Sequence, residues 1–271
     1  LGLPAAARAD DADAKAELAR LKGVWRVVFV ESNGEPAPRE RFEGVEVVIG
    51  DGRHLVRRGD QVLAHDVTID VDPTAKPKTS TDTLHGGENE GKQILGIYQL
   101  DGEVLMSCVG GIGQDRPKAF ETKPDGGHTL RILRRVKERT EAQAKADEDV
   151  IRRFVGTWRF DSMRAEGRPV PIEALKDAKL VLDGDRFAMT DANGTVGGVY
   201  WVDASAAPMT LDIVFTDGPE RGKGVRAIFQ LEGDTYTSCV DVAGRGRPKA
   251  FTAEPGSGHV LQVLKREKPG N

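Results

Sequence analysis

The residues able to do chemistry are few. Five histidines (His54, His65, His85, His128 and His259) and two cysteines (Cys108 and Cys239) are spread along 271 residues. Imidazole and thiolate ligate zinc or haem, but no close His-x-x-x-His pair and no zinc-type Cys/His spacing occurs. His128 and His259 each follow a glycine-rich turn. They read either as exposed residues opening a strand or as metal or haem ligands offering imidazole at a barrel mouth. Cys108 and Cys239 read as buried thiols or as a disulfide between their two segments, which would require those strands to touch. No motif places an activating histidine or cation beside either thiol, as a catalytic thiolate requires. Asp101, Glu103, Asp115, Asp125, Glu232 and Asp234 could supply general acid–base pairs, yet all lie in turn contexts that explain them. No nucleophile elbow, phosphate loop or zinc-protease motif is present. A catalytic reading therefore lacks a constellation, and no cofactor or metal site is expected.

Composition narrows the classes. There are 39 basic and 43 acidic residues, giving a formal net charge of -4, which disfavours a general nucleic-acid binder. No apolar run approaches the ~20 residues of a membrane helix. Hydrophobic residues make up 38% and glycines number 32, so a modest core with frequent turns is expected. The opening residues 1–9 end in Ala7-Arg8-Ala9, a small-x-small pattern that reads as the remnant of a signal peptide. Export to the periplasm or the exterior follows as an expectation.

The chain repeats itself. Residues 91–135 and 222–266 match at 21 of 45 positions under a constant shift of 131. Unrelated segments would agree at about one position in twenty. Arg116-Pro117-Lys118-Ala119-Phe120 recurs unchanged from Arg247 to Phe251, Ser107-Cys108-Val109 recurs at Ser238 to Val240, and Gly23-Val24-Trp25-Arg26 is matched by Gly156-Thr157-Trp158-Arg159. A period this long makes each copy a whole domain: residues 10–139 and 140–271. Residues 136–153, rich in helix formers and free of Gly and Pro, read as a helix joining the copies. Residues 13–22, with Leu18 and Leu21 on one stripe, read as a short helix before the first copy.

Within each copy the apolar period is two. Copy one shows strands at 24–30, 45–49, 53–57, 62–71, 78–84, 92–100, 103–109, 118–123 and 128–136, joined mostly by short turns. Copy two adds a short helix near 171–176. Such spacing without long crossovers implies an antiparallel meander, and closing it into an up-and-down barrel removes the edges. The opening Gly-x-Trp with its preceding helix, the Asp-Gly hairpin at 101–102, the Ser-Cys-Val strand, the Arg-Pro-x-x-Phe segment and the closing Gly-x-x-Leu-x-x-Leu occur in order and twice. In this ordered set the chain resembles an uncharacterised lipocalin-like domain family of planctomycete type. That resemblance implies an all-β fold of two tandem lipocalin-like antiparallel β-barrels, each with a short preceding helix, joined by a helical linker. It implies no activity.

Site expectations follow from the barrel. Trp25 and Trp158 should plug the closed ends. The resemblance implies a basic residue over each tryptophan, supplied by Arg116 and Arg247 or by Arg135 and Arg266. Alternation sets Cys108 with Val104 and Met106, and Cys239 with Thr235 and Thr237. This cysteine face is expected to be the outer one, half covered by a helix. The opposite face would line the interior: Leu105 and Val109 with Ile97 or Tyr98 in copy one, Tyr236 and Val240 with Ile228 or Phe229 in copy two. The second set is bulkier, so an apolar ligand is expected mainly in the N-terminal copy. The expected function is a non-catalytic binding module for a small apolar or amphipathic ligand. The alternative is a structural module of the cell envelope with filled barrels and a protein partner.

Overall fold

The computed structural model describes residues 11–268. The expected leader, 1–9, lies outside the described residues. The chain divides into two compact units between Lys137 and Glu138.

In the first unit, helix α1 (Asp11–Leu21) precedes β1 (Gly23–Ser32), β2 (Glu35–Pro36), β3 (Val45–Gly50), β4 (Arg53–Arg58), β5 (Gln61–Asp72), β6 (Lys78–Leu84), β7 (Gln93–Asp101), β8 (Val104–Gly110) and β9 (His128–Arg135). In the second, α2 (Glu141–Phe154) precedes β10 (Gly156–Ala165), β11 (Arg168–Pro169), α3 (Ile172–Leu175), β12 (Lys179–Asp183), β13 (Arg186–Asp191), β14 (Gly194–Asp203), β15 (Met209–Phe215), β16 (Gly224–Glu232), β17 (Thr235–Asp241) and β18 (His259–Arg266). Each unit is a closed antiparallel barrel of eight strands, because β1 pairs with β9 and β10 with β18. The two-residue β2 and β11 only extend the first hairpins.

The opening strand shows why the barrel closes. Trp25, Val27, Phe29 and Glu31 alternate with half-exposed neighbours. The register shifts between Val27 and Phe29, and at the equivalent place between Phe160 and Ser162. A bulge bends a strand and re-aims its side chains, so Val30 rather than Phe29 continues the inward face and packs on the core. Asn33 and Gly34, at φ 56° and 79°, then supply the left-handed pair that a tight hairpin turn needs.

Two expectations are corrected. Residues 118–123 form no strand. Both edges of β8 are already paired, to β7 and β9, so the closed sheet has no place for another strand. The segment is instead held by side chains: Thr122 Oγ1 donates to Glu31 Oε1 at 2.8 Å and accepts from Gly34 N at 2.9 Å. The helix expected as a joining element is α2, which belongs to the second unit. Thr140 and Gln143 form a capping box at its start, and Val150 and Phe154 are buried in that barrel's core.

One device locks helix to barrel in both units. The Trp25 indole donates to Leu21 O at 2.7 Å, and Trp158 to Phe154 O at 2.8 Å. The Arg135 guanidinium lies 4.1 Å over the Trp25 ring, and that of Arg266 lies 4.2 Å over Trp158. Each guanidinium also donates to carbonyls at the helix end: Arg135 to Arg20 O and Lys22 O, Arg266 to Arg153 O and Val155 O. Both tryptophans are 0% exposed. Replacing either with Ala removes a buried aromatic and its helix tie, so Trp25→Ala and Trp158→Ala should each destabilise their own unit by about 3–5 kcal/mol. Urea unfolding would show this, and a change of a few tenths would contradict it. Because each unit has its own lock and closing strand, residues 10–137 and 138–271 expressed separately should each melt cooperatively. Loss of cooperative melting in both would refute autonomy.

Candidate functional site

The strand faces separate the candidate lining residues. Tyr98, Leu105, Phe229, Tyr236 and Val240 point into the barrels and belong to their cores. Val109 pairs with Gly96 and Thr129 on the same inward face and is half-buried. Ile97 and Ile228 are corrected: each pairs with a cysteine, Cys108 or Cys239, on the outer face. That face is covered by a loop rather than by a helix. Cys108 Sγ donates to Glu121 O at 3.7 Å, and Cys239 Sγ to Thr252 O at 3.1 Å. Both thiols are free and buried; burial pushes Cys108 up to about 11 and raises Cys239.

Arg116 and Arg247 fasten these loops and do not sit over the tryptophans. Arg116 donates to Ser80 O and Gly96 O, and to Thr81 Oγ1 at 3.0 Å. Arg247 donates to Leu211 O at 3.0 Å, Ala227 O at 2.7 Å and Asp212 Oδ1 at 2.6 Å. Of the turn carboxylates, Glu103 and Asp234 pair with the Nε of Arg135 and Arg266, each at 3.1 Å. Asp101, Asp115, Asp125 and Glu232 are exposed. His128 and His259 are half-buried and open the last strands, and His85 Nε2 meets Thr68 Oγ1 at 3.0 Å.

The C-terminal barrel contains an apolar cavity of about 380 Å³. Its floor is aromatic, with the ring of Phe154 5.0 Å from Tyr236 and 6.0 Å from Tyr200. Its walls include Met189, Leu211, Ile213 and Val240. Phe187 crosses β14 at Gly198 to meet Phe215 edge-on at 5.6 Å. A Cβ at Gly198 would come within 2.4 Å of that ring, so the position has to be glycine. Near the other end of the lining, Gln262 Nε2 donates to Ser238 Oγ at 2.9 Å. Despite its bulkier side chains, this copy keeps room for a small ligand. Phe229 and Tyr236 pack against Phe154 at 5.1 Å and 5.0 Å, tilted and edge-on, and Tyr236 lies at the floor.

The N-terminal barrel has a different interior. At its helix end, Glu17 is buried and accepts from Lys78 Nζ at 2.6 Å, Arg20 Nη1 at 2.8 Å and Tyr98 OH at 3.3 Å. Burial alone would raise this carboxyl, but these partners outweigh it and lower it. Farther along, strand register points four polar side chains inward. His54 pairs with Ile49, Asp82 with Ile69, Ser107 with Tyr98, and Arg131 with Val30, each beside a core or core-packed residue. His54 Nε2 lies 3.9 Å from Asp82 Oδ2. Asp82 Oδ1, Ser107 Oγ and Arg131 Nε are buried without a hydrogen-bond partner among the described residues. Burial pushes Asp82 up to about 6, against the pull of Arg131. Burial, reinforced by Arg131, pushes His54 down to about 4. Burial lowers Arg131 as well.

None of this cluster was singled out as a site from the sequence. The available signal was the comparison of copies. His54, Asp82 and Arg131 stand where the second barrel has Phe187, Ile213 and Gln262, at equivalent registers. No group of three or more His, Cys, Asp or Glu side chains suited to a metal occurs among the described residues. Nor is any described helix long and apolar enough to cross a membrane.

No family model and no curated protein sequence matches the chain. A protein of unknown function of the DUF3598 family from Nostoc punctiforme aligns structurally over 92% of this chain and 97% of its own, at 12% identity and a TM-score of 0.23. A likeness of that size carries no argument.

The buried pair predicts opposing pH effects. Asp82 holds its proton more tightly in the folded barrel (about 6) than at its ordinary 3.8, so it withdraws stability as pH rises from 3.8 to 6. His54 titrates at about 4 when folded against 6.5 ordinarily, so its share of stability is complete above 6.5 and is lost as pH falls to 4. Relative to wild type, His54→Gln should gain stability, and Asp82→Asn should lose it, as pH is lowered from 6 to 4. Urea unfolding of the N-terminal unit across that range measures both. Parallel profiles for all three proteins would contradict the burial of these groups.

Proposed function

We propose that the protein is an exported, non-catalytic binding module of lipocalin-like type, and that its C-terminal barrel takes a small apolar or amphipathic ligand. The carrying observation is the cavity of about 380 Å³. Ligand sites typically measure about 300–1,000 Å³ and are mostly apolar with a few polar groups. Here the apolar wall ends at Gln262, Glu220 and Lys223, the last two paired at 2.6 Å. An acyl tail or small ring compound fits the wall, and a weakly polar head fits that rim. The helix-capped barrel with tryptophan under arginine supports the lipocalin-like reading. The small-x-small pattern at residues 7–9 supports export.

A structural role in the envelope, with a protein partner, is the second reading. It is favoured by Val62 and Leu63, adjacent on β5 and 50% and 47% exposed. The two readings separate on ligand occupancy. An environment-sensitive apolar dye should bind the full chain saturably, be displaced by decanoate, and bind at least tenfold more weakly in Ile213→Asp and in the cavity-filling Met189→Trp. Native mass spectrometry of protein from its source should show a retained small molecule. No saturable binding, or binding unchanged in both variants, would reject the ligand reading in favour of the structural one.

A further inference from the structure

We infer that the N-terminal barrel holds a second site of different chemistry, built on Arg131, Asp82, Ser107 and His54, for a small carboxylate that also carries a hydroxyl or amino donor. This goes beyond the apolar site and does not depend on it, since the two sites lie in separate units.

The comparison of equivalent positions carries the argument. In the C-terminal barrel the facing pair on the last two strands, Ser238 and Gln262, satisfies itself through a hydrogen bond of 2.9 Å. In the N-terminal barrel the same pair is Ser107 and Arg131, and neither Ser107 Oγ nor Arg131 Nε finds a partner among the described residues. Across the interior, Ile213 of the second barrel is replaced by Asp82, whose Oδ1 is also unpartnered, and Phe187 is replaced by His54. Asp82 and Ser107 are each only 8% exposed. Buried polar groups are almost always hydrogen-bonded, and an unmet charge inside a protein is costly. Three unmet polar atoms converging in one interior, where the sister barrel has none at the equivalent side chains, mark a place built for something other than its own side chains.

The donor set defines the occupant. Arg131 is always protonated and presents a planar fork that matches a carboxylate. Asp82 offers an acceptor and calls for a hydroxyl or ammonium. Ser107 can serve either group, being both donor and acceptor. Arg131 remains partly accessible, so the cluster is not sealed from solvent. A hydroxy acid or amino acid meets all three demands together. A plain carboxylate leaves Asp82 unmet, and an apolar molecule leaves all of them unmet.

Isothermal titration calorimetry on the full chain tests this with 3-hydroxybutyrate, L-serine and acetate. Saturable binding of 3-hydroxybutyrate or L-serine is expected, at least tenfold tighter than that of acetate. It should weaken at least tenfold in Arg131→Gln, which copies the second barrel, and in Asp82→Asn. Arg131→Gln also removes the positive charge that acts on buried Asp82, so its melting is recorded to show that it folds before its affinity is compared. Ser107→Ala, which removes one atom and no charge, should also weaken binding and serves if the charged variants fail to fold. No saturation by either donor-bearing acid would mean that water satisfies the cluster, and would overturn the inference. So would acetate binding as tightly as 3-hydroxybutyrate, or affinity unchanged in the folded variants.

Discussion

The tryptophan beneath an arginine is the contact on which the rest of each barrel depends. An isolated helix end leaves carbonyls without partners, and an open sheet leaves edge groups without partners. Arg135 and Arg266 meet both needs from the final strand. Each covers an indole of the first strand, and each donates to the carbonyls of the helix end. Helix, first strand and last strand are thereby joined at one point. Closure follows, and with it a capped end, an inner face and an outer face.

The duplicated chain preserved the outer face and changed the inner one. Outside, the same Arg-Pro segment ties its loop to neighbouring strands, and the same cysteine lies beneath that loop. Inside, the N-terminal barrel is polar at both levels. Glu17, Lys78 and Tyr98 meet at the helix end, where the C-terminal barrel has Val150, Met209 and Phe229. His54, Asp82 and Arg131 occupy the next level, against Phe187, Ile213 and Gln262. Outer features that hold a fold were conserved between the halves, while the lining that a bound molecule would touch was not.

Energetically the two interiors differ in kind. The Glu17 network is satisfied, so its burial is offset by charge-assisted hydrogen bonds. The Asp82–Arg131 level is not, and its desolvation opposes folding. The apolar cluster around Leu21, Trp25, Val27 and Phe42 must carry that load. Among the described residues the C-terminal barrel buries no unpartnered side-chain polar atom, but its cavity forgoes packing that a filled core would gain.

Much of the architecture was legible in the residues. The 131-residue shift established two domains, the period of two established strands, and the Asn-Gly and Asp-Gly pairs marked hairpins. These are local signals, and the barrel obeys them because antiparallel neighbours in sequence are neighbours in space. What could not be read was anything set by register. The bulge after Val27 decides that Val30, not Phe29, faces inward opposite Arg131, which alternation from Leu133 turns into the barrel. Alternation alone left Ile97 and Tyr98 equivalent; pairing with Cys108 or with Ser107 separates them. The strand expected at 118–123 failed because closure had used every edge. Aromatic bulk at positions 229 and 236 suggested less room, and only the packing of Tyr236 on Phe154 placed its ring at the cavity floor. Side-chain type and spacing determined the elements, whereas which groups meet inside a closed sheet was decided by tertiary register.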